Sequence, residues 1–283
     1  MEIIDGKFVS EQIKNELKMK VNKLKKLNII PKLVIITIEN NNATELYIKN
    51  KKRLFDELGM CIEQKIVDIN IDMNKLLEII EDLNKDNTVD GILIQSPVPD
   101  RFNINEFFEK ISFYKDVDGF NPINVGRISL GMDGYIPCTA LGIMQLLKYY
   151  NISVNGKHAV IVGRSNIVGK PIARLLLQED ATVTICHSKT VDIKKYTKTA
   201  DILIVAVGKE KFIKEDMIKD NAIVIDVGIN FTNEGKIVGD VDFENVKKKC
   251  SYITKVPGGV GPMTVIMLAK NTIHSANKRR LGV

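Results

Sequence analysis

The sequence predicts an α/β protein with two lobes and a cleft between them, and three observations lead to this prediction. Short β-branched apolar runs alternate with amphipathic helical patterns, which is typical of parallel sheets covered by helices. The length of 283 residues corresponds to about two domains at ~150 residues each. The periodicity breaks between residues 115 and 139, and irregular segments of that length are usually functional loops or domain crossings.

The first lobe is predicted from alternating helix and strand patterns in the N-terminal third. Its elements are a helix Ser10–Leu27, a strand Lys32–Ile38, a helix Thr44–Leu58, a strand Cys61–Val67, a helix Asn74–Asn84 and a strand Gly91–Ile94. Apolar residues at helical spacing, such as Ile13, Leu17 and Val21, indicate the first helix. Gly59 ends the second helix and Pro97 stops the last strand, as these residue types commonly do.

The second lobe repeats this rhythm after a helical pattern at Ala140–Tyr150. Its elements are a strand His158–Val162, a helix Gly169–Gln178, a strand Thr182–Cys186 and two further strands, Ile202–Val207 and Ile223–Val227. The apolar character of these strands predicts that the sheet buries them. Three Gly and two Pro within Val256–Thr264 predict a loop of fixed shape ahead of a helix.

The composition is that of an ordinary globular protein. Apolar residues make up 45% and charged residues 27%, which excludes wholesale disorder. The uncharged stretches fall short of the ~20 apolar residues that span a bilayer. The first residues lack the basic and apolar regions of a secretory signal. We therefore expect a soluble, cytoplasmic protein without membrane association.

The charge pattern argues against a nucleic-acid binder. The net charge is +6, from 41 Lys and Arg against 35 Asp and Glu. The basic clusters Lys49–Arg53, Lys247–Lys249 and Lys278–Arg280 are short and lack interleaved aromatic residues, so solvated helix faces explain them best. An anionic small substrate is the competing explanation. Four separate Cys and three isolated His show no metal-ligand spacing, so we expect reduced thiols and no metal site.

The turn Gly163–Pro171 indicates a dinucleotide site in the second lobe. It joins a strand to a helix, and this layout places a helix N-terminus against a phosphate. The turn lacks the G-x-G-x-x-G pattern, so taken alone a plain β–α turn explains it about equally well. Arg164 and Ser165 favour the ligand site, because they offer a cation and a hydroxyl at the carboxyl end of a buried strand.

The exit of the next strand favours NADP over NAD. An NAD site usually has an acidic residue about 20 residues further along the chain, which holds the ribose 2′-hydroxyl. Here Ser188 and Lys189 stand at that exit, and a hydroxyl with nearby cations suits a 2′-phosphate. The alternative is a polar strand exit without a ligand. Ile229, after a later strand, contacts the nicotinamide or belongs to the sheet core.

Lys51 is the candidate acid–base residue. Tyr47 and Lys51 are four residues apart and share the apolar face of one predicted helix. Partial burial lowers the pKa of a lysine and makes it usable as an acid or base near neutral pH. The alternative is a snorkelling lysine at the edge of the apolar stripe.

Gln95 and Asp118 are candidates for ligand contacts. Gln95 follows a buried strand, where its amide orients a lysine or a ligand, or only caps a loop. Asp116 and Asp118 lie on one side of their segment if that segment is extended. A carboxylate there binds an aminopyrimidine-type ring, binds a metal or closes a turn, which is a common role of Asp.

Several ordered motifs extend over nearly the whole chain. They are Tyr47-x-x-x-Lys51, Asp90–Pro97, Lys115–Phe120, Pro137–Thr139, Gly163–Pro171, Cys186–Ser188, Gly239–Asp242 and Pro257–Thr264. In this order they resemble the bifunctional methylenetetrahydrofolate dehydrogenase / methenyltetrahydrofolate cyclohydrolase family. The resemblance implies two steps in one cleft. Hydride passes from 5,10-methylenetetrahydrofolate to NADP⁺, and water then opens the 5,10-methenyl product to 10-formyltetrahydrofolate.

The resemblance also implies roles for individual residues. Lys51 is the implied acid–base centre, chiefly of the hydrolytic step, and Gln95 holds and tunes it. Asp118 binds the pterin edge and Tyr47 packs on the folate. The implied contacts of the tetrahydrofolate substrate are Tyr47, Lys51, Gln95, Asp118, Pro257, Gly258 and Gly259. The implied contacts of NADP are Gly163, Arg164, Ser165, Ser188 and Ile229.

Domain limits and assembly follow from the same resemblance. It implies a folate-binding catalytic domain at residues 1–140, with a C-terminal helix 267–283 packing back onto it. It implies a Rossmann-like, doubly wound NADP-binding domain at residues 141–266. The family is typically homodimeric through the NADP-binding domain, so we expect a homodimer.

Departures from the family pattern leave the substrate affinity and the balance of the two activities open. They lie at Glu39–Thr44, Ser96, Ala140 and Lys255. Two competing hypotheses are a dehydrogenase acting on a small polar acid, in the manner of shikimate dehydrogenases, and a folate- or dinucleotide-binding protein without catalytic activity.

Overall fold

The computed structural model describes residues 1–38, 42–232 and 234–282, apart from the side chains of residues 42–44, 46 and 47. The chain divides into two compact units. Unit 1 consists of Met1–Glu11 and Thr139–Thr264, and unit 2 of Gln12–Cys138 and Val265–Val283. Each unit is built on a parallel sheet, so the predicted α/β class with two lobes is confirmed.

The elements follow one another largely as strand and helix in alternation. In chain order they are β1 (Glu2–Ile4), α1 (Gly6–Lys25), β2 (Lys32–Ile38), α2 (Asn42–Leu58), β3 (Cys61–Val67), α3 (Met73–Lys85), β4 (Gly91–Gln95), α4 (Ile104–Lys110), α5 (Pro122–Ser129), α6 (Cys138–Tyr149), β5 (His158–Val162), α7 (Gly169–Gln178), β6 (Thr182–Cys186), α8 (Ile193–Thr197), β7 (Ile202–Val205), β8 (Ile223–Asp226), β9 (Asn230–Phe231), β10 (Ile237–Val238), α9 (Phe243–Val246), β11 (Tyr252–Thr254) and α10 (Val260–Leu281). A 3₁₀ turn at Glu215–Met217 precedes β8.

Unit 2 contains a three-stranded parallel sheet in the order β3-β2-β4. The central strand β2 is a continuous apolar run that is buried on both faces, as expected for a parallel sheet. Val34 and Ile36 of β2 belong to the buried core of this unit. Helix α3 adds Leu76 and Ile80, which are four residues apart and share one face, and the Asp72 carboxylate caps its N-terminus.

Unit 1 contains a six-stranded parallel sheet in the order β1-β11-β8-β7-β5-β6. Counted from β5, the strands follow the order 2-1-3-4-5 of a doubly wound sheet, with β1 added at the far edge. The strand order reverses between β5 and β7. Ligands of open α/β sheets bind at the carboxyl ends of the strands beside this reversal.

Several element boundaries differ from the sequence-based prediction. Helix α5 lies inside the segment predicted to be irregular, because the Asn121 side chain caps it and Pro122 occupies its first turn. Helix α1 begins at Gly6, ahead of the predicted start. Helix α10 begins at Val260, within the Gly- and Pro-rich run that was predicted to be loop as far as Thr264.

The N-terminal residues group differently from the implied domain limits. Strand β1 pairs in parallel with β11, with Ile3 opposite Ile253. This pairing groups Met1–Glu11 with unit 1. The implied domains at residues 1–140 and 141–266 stay a prediction.

Candidate active site

Helix α2 places Lys51 beside the core of unit 2. Ile48, Phe55 and Leu58 are buried and form the apolar stripe of the helix, and Lys51 lies between them at helical spacing. The Lys51 ammonium group is partly buried, and its Nζ donates a hydrogen bond of 2.6 Å to Oε1 of Gln95. The lysine is therefore held by a specific partner rather than extended into solvent.

Gln95 is the last residue of β4, at the carboxyl end of the sheet. Its Nε2 donates to the carbonyl oxygen of Ser96 at 2.7 Å, which turns Oε1 toward Lys51. The amide thus has a defined orientation, in which its one acceptor atom, Oε1, accepts the hydrogen bond from the lysine. Of the two readings of Gln95, the structure favours the one in which its amide orients a lysine.

Asp116 and Asp118 have different surroundings, although they are only two residues apart. Asp116 is buried, and it accepts hydrogen bonds from the backbone N–H groups of Gly119, Phe120 and Asn121 and from the Asn124 side chain. Burial raises the pKa of Asp116 to about 7. Asp116 therefore closes the turn, while Asp118 lies near Lys51 and is not used by that turn.

Lys51 and Asp118 influence each other's charge. Burial lowers the pKa of Lys51, and the Asp118 carboxylate opposes this effect. Burial also raises the pKa of Asp118, and the Lys51 ammonium group opposes that change. Because desolvation dominates at both residues, the site favours the neutral amine more than an exposed lysine would.

Cys138 is a member of this site to which sequence reasoning assigned no role. Its buried thiol hydrogen-bonds to Asp118 and lies 3.5 Å from the carbonyl oxygen of Val117. Burial raises its pKa well above the ordinary thiol value, so the group stays protonated. Asn271 of α10 fixes this region by donating to the carbonyl oxygens of Val117 and Ile136 at 2.9 and 3.1 Å. The motif Pro137–Thr139 was the only sequence signal for Cys138.

Two sequence predictions fall outside the described part of the chain. The backbone of Tyr47 lies in α2, but its side chain is not among the described residues, so its role stays a prediction. The departure at Glu39–Thr44 also lies outside the described residues. Only the backbone of residues 42–44 is described there.

In unit 1, two glycines shape the turn between β5 and α7. Gly163 has a φ of +133°, and a Cβ there would overlap the carbonyl oxygen of Ala206. A Cβ on Gly169 would overlap the carbonyl oxygen of Gly163. Ser165 Oγ accepts a hydrogen bond of 3.1 Å from the backbone N–H of Val168, just before α7 begins. This close-packed turn lies at the reversal point of the sheet, where doubly wound sheets generally bind their ligands.

The other predicted cofactor residues are accessible at the same edge of this sheet. Arg164 is exposed after β5, and Ser188 and Lys189 are exposed after β6. Ile229 follows β8 and is 44% exposed, so it does not belong to the sheet core. These residues present a cation, hydroxyl groups and an accessible apolar side chain, and their contacts with NADP stay a prediction.

Pro257, Gly258 and Gly259 form a loop in unit 1 that is fixed against the N-terminal residues. The backbone N–H of Lys7 donates to the carbonyl oxygen of Gly258 at 3.0 Å. Lys255, which replaces the proline usual in the family, forms an ion pair of 2.8 Å with Asp5. Lys255, although it departs from the family pattern, therefore helps to hold the loop.

The described residues contain neither a metal-ligand cluster nor a membrane-spanning helix. Within residues 1–38, 42–232 and 234–282, no group of three or more His, Cys, Asp or Glu is arranged to hold a metal ion. Among the helices of the same described ranges, none is long and apolar enough to cross a membrane.

The doubly wound sheet and the buried lysine are features found in two-domain, dinucleotide-dependent enzymes, and comparison with known proteins identifies the family. Residues 4–118 match the tetrahydrofolate dehydrogenase/cyclohydrolase catalytic domain. Residues 137–280 match the NAD(P)-binding domain of the same family. The chain belongs to the tetrahydrofolate dehydrogenase/cyclohydrolase family, so the shikimate dehydrogenase hypothesis does not apply.

Individual relatives are similar over almost their whole length. The bifunctional protein FolD of Campylobacter hominis is 50% identical over 279 residues, which are 99% of this chain and 98% of the relative. The crystal structure of FolD from Campylobacter jejuni is 50% identical, with a TM-score of 0.97 and 99% of each chain covered. A FolD structure from Trypanosoma brucei, complexed with NADP and an inhibitor, is 34% identical, with a TM-score of 0.93 and coverage of 99% and 98%.

Proposed function

We propose that Lys51 transfers the protons in a bifunctional methylenetetrahydrofolate dehydrogenase and methenyltetrahydrofolate cyclohydrolase, that Gln95 holds this lysine, and that Asp118 and Tyr47 orient the folate. The two activities themselves follow from the family and from relatives of 50% identity over the full chain. The observation that carries the residue assignment is the 2.6 Å bond between Lys51 and Gln95, beside Asp118, in surroundings that lower the pKa of the lysine.

The first reaction oxidises 5,10-methylenetetrahydrofolate to the 5,10-methenyl compound. When bound, NADP⁺ supplies the hydride acceptor for this step. Hydride transfer needs positioning more than an acid or a base. The Asp118 carboxylate accepts hydrogen bonds from the pterin edge, and Tyr47 packs on the folate, so these residues orient the methylene carbon.

The second reaction hydrolyses the 5,10-methenyl cation to 10-formyltetrahydrofolate. The neutral Lys51 amine accepts a proton from water as the oxygen bonds to the methenyl carbon. Lys51 then donates that proton to N5 as the bond between this carbon and N5 breaks. The hydroxyl proton is released as the formyl carbonyl forms, so one water is consumed and one proton is produced. Gln95 holds the amine in place throughout.

NADP is the expected cofactor rather than NAD. The NAD(P)-binding family domain and the NADP complex of the Trypanosoma brucei relative support this choice. In this chain, Gly163, Arg164 and Ser165 line the phosphate turn, while Ser188 stands at the exit of β6, between His187 and Lys189 in the sequence. Ile229 supplies the apolar contact for the nicotinamide.

The remaining assignments complete the proposal. Pro257, Gly258 and Gly259 lie beside the folate. The substrates are one-carbon derivatives of tetrahydrofolate, and the +6 net charge suits the carboxylates that folates carry. The protein works in the cytoplasm as a homodimer that associates through the NADP-binding domain, without nucleic-acid or membrane partners.

A single spectroscopic experiment tests the proposed function. Purified protein is mixed with 5,10-methylenetetrahydrofolate and NADP⁺, and full absorption spectra are recorded over time. Growth of the reduced-nicotinamide band without lasting methenyl absorbance is the expected result. Persistent methenyl absorbance would contradict the hydrolytic role of Lys51. The absence of any change with either NADP⁺ or NAD⁺ would overturn the folate assignment.

A further inference from the structure

Two buried carboxylates lie at the carboxyl end of the sheet in unit 1, and the mechanism above does not use them. Asp226 is the last residue of β8 and is 3% exposed, while Asp240 follows β10 and is fully buried. Strands β7 and β8 are parallel neighbours, and Val205 at the end of β7 pairs with Asp226. The two carboxylates therefore lie beside the loops that leave these strands.

Asp240 organises the loop after β7. Its Oδ2 accepts hydrogen bonds from the backbone N–H groups of Val207 and Gly208, at 2.7 and 3.0 Å. Its Oδ1 accepts from the N–H of Lys209 at 2.8 Å and from the Asn230 side chain at 2.9 Å. One side chain thus satisfies three consecutive backbone donors, which fixes the path of this loop.

Asp226 connects the loop after β8 to the segment that carries Asp240. Its Oδ1 accepts from the N–H groups of Gly228 and Asp240, at 2.9 and 3.0 Å, and its Oδ2 accepts from the N–H of Val241 at 2.9 Å. The two carboxylates therefore form one connected network, in which Asp226 positions Asp240 and Asp240 positions the neighbouring loop.

Two glycines show how closely the loops pass the carboxylates. A Cβ on Gly228 would overlap the Asp240 carboxylate, and a Cβ on Gly239 would overlap the Asp226 carboxylate. The backbone approaches both groups to a distance that a side chain would prevent. Because of this close packing, the loops are held in one conformation around the two carboxylates.

The same loops adjoin the proposed cofactor site. The N–H of Ala206 donates to the carbonyl oxygen of Val162 at 2.8 Å, and the carbonyl oxygen of Ala206 lies against Gly163 in the phosphate turn. Ile229 directly follows Gly228, whose N–H is bound to Asp226. The carboxylate network therefore sets the backbone of the loops after β7 and β8, on the β7 side of the sheet reversal.

We infer that Asp226 and Asp240 are positioning residues for hydride transfer, because they fix the loops at residues 206–209 and 227–229 that hold the nicotinamide end of the dinucleotide. This inference rests on the proposed function. Neither carboxylate has a part in hydrolysis, whose proton-transfer residues belong to unit 2. The two activities of one enzyme preparation therefore separate a positioning role from general damage to the fold.

The test compares Asp240→Asn with Asp242→Asn as a matched control on the same segment. Asp242 is partly exposed and bonds to Asn245 rather than to either loop. Dehydrogenase activity is measured with 5,10-methylenetetrahydrofolate and NADP⁺, and hydrolysis is measured separately with the 5,10-methenyl compound in the absence of NADP⁺. A displacement of about 1 Å in a reacting group lowers rates by about 100-fold, so we expect a dehydrogenase loss of that order in Asp240→Asn. Hydrolysis by this variant, and both activities of Asp242→Asn, should stay within about twofold of the unchanged protein.

A deuterium isotope effect supplies the readout that a merely structural role would not change. Substrate prepared from dideuterated formaldehyde carries deuterium on the methylene carbon, so the enzyme transfers deuteride instead of hydride. Poorer alignment makes hydride transfer the slow step, so the isotope effect on kcat should be larger in Asp240→Asn than in the unchanged protein. Should Asp240→Asn fail to fold, Asn230→Ala removes a single donor from Asp240 and should show the same selective loss at smaller size.

The outcomes distinguish this inference from the proposed function. An unchanged protein without dehydrogenase activity would contradict the proposed function itself. The positioning role would be overturned if, with an active unchanged protein, Asp240→Asn lost both activities equally. An unchanged dehydrogenase rate or an unchanged isotope effect in Asp240→Asn would also overturn it. A selective dehydrogenase loss with a raised isotope effect would establish it.

Discussion

Replacing Gln95 by leucine tests how the lysine is held. The substitution keeps the approximate size of the side chain and removes the acceptor that lies 2.6 Å from Nζ of Lys51. A hydrogen bond to a charged group contributes about 1.5–3 kcal/mol. At about 1.4 kcal/mol for each factor of ten, this predicts a loss of about 10- to 150-fold in the hydrolytic kcat/KM. Hydride transfer involves no proton at Lys51, so the dehydrogenase rate should change much less.

The assay follows the decay of methenyl absorbance in the absence of NADP⁺, with the dehydrogenase rate measured on the same preparation. Gln64→Leu is the matched control, because Gln64 on β3, in the same sheet, accepts a 3.1 Å bond from Lys52. Hydrolysis within twofold of the unchanged protein in Gln95→Leu would refute the reasoning. An equal loss in Gln64→Leu would also refute it, since the effect would then not be specific to Lys51.

Three further predictions concern charge. Asp118→Asn removes the carboxylate that opposes the lowered pKa of Lys51, so the pH profile of Lys51 acetylation by acetic anhydride, read by mass spectrometry, should shift to lower pH. Ser188→Asp places a negative charge near the 2′-phosphate, and since like charges at an interface cost several kcal/mol, KM for NADP⁺ should rise more than tenfold while KM for NAD⁺ changes little. Asp90→Ala leaves Arg279 and Arg280 without their buried partner, which should lower the free energy of unfolding by about 3–5 kcal/mol in urea titrations.

Each of these predictions has its own control and its own contradiction. Lys75, exposed on α3, supplies the reference acetylation profile, and a shift of Lys51 to higher pH would contradict the electrostatic account. Equal changes in KM for both cofactors would count against the 2′-phosphate contact. Glu234→Gln breaks an exposed ion pair with Lys236 and should change the free energy of unfolding by less than about 1 kcal/mol. A similar small effect of Asp90→Ala would contradict the buried-pair argument.

The parts of the fold that the sequence predicts are those with a local signal. The apolar run of β2 and the β–α alternation follow from residues close together in the chain, and the structure confirms them. Helical spacing was enough to place Lys51 on the apolar stripe of α2. The carboxyl end of β4 was enough to mark Gln95, and the structure brings the two side chains together.

Features that depend on distant contacts were not predictable. Strands β1 and β11 are three residues each, and their pairing joins segments about 250 residues apart, so neither has a sequence pattern of its own. The prediction that Asp116 and Asp118 lie on one side assumed an extended segment. The chain turns instead, because Asp116 binds the backbone N–H groups that follow it. The carboxylate network of Asp226 and Asp240 also forms only in the folded sheet.

The central claim is that Lys51 is the acid–base group of hydrolysis and has no part in cofactor binding. The most direct test is Lys51→Met, with hydrolysis of the 5,10-methenyl compound and the Kd for NADP⁺ measured on the same folded preparation. General acid–base catalysis contributes about 10²–10⁴-fold. We therefore expect the rate of hydrolysis to fall by at least about 100-fold, while the Kd for NADP⁺ stays unchanged. Hydrolysis that survives the substitution, or a folded variant that no longer binds NADP⁺, would contradict the account.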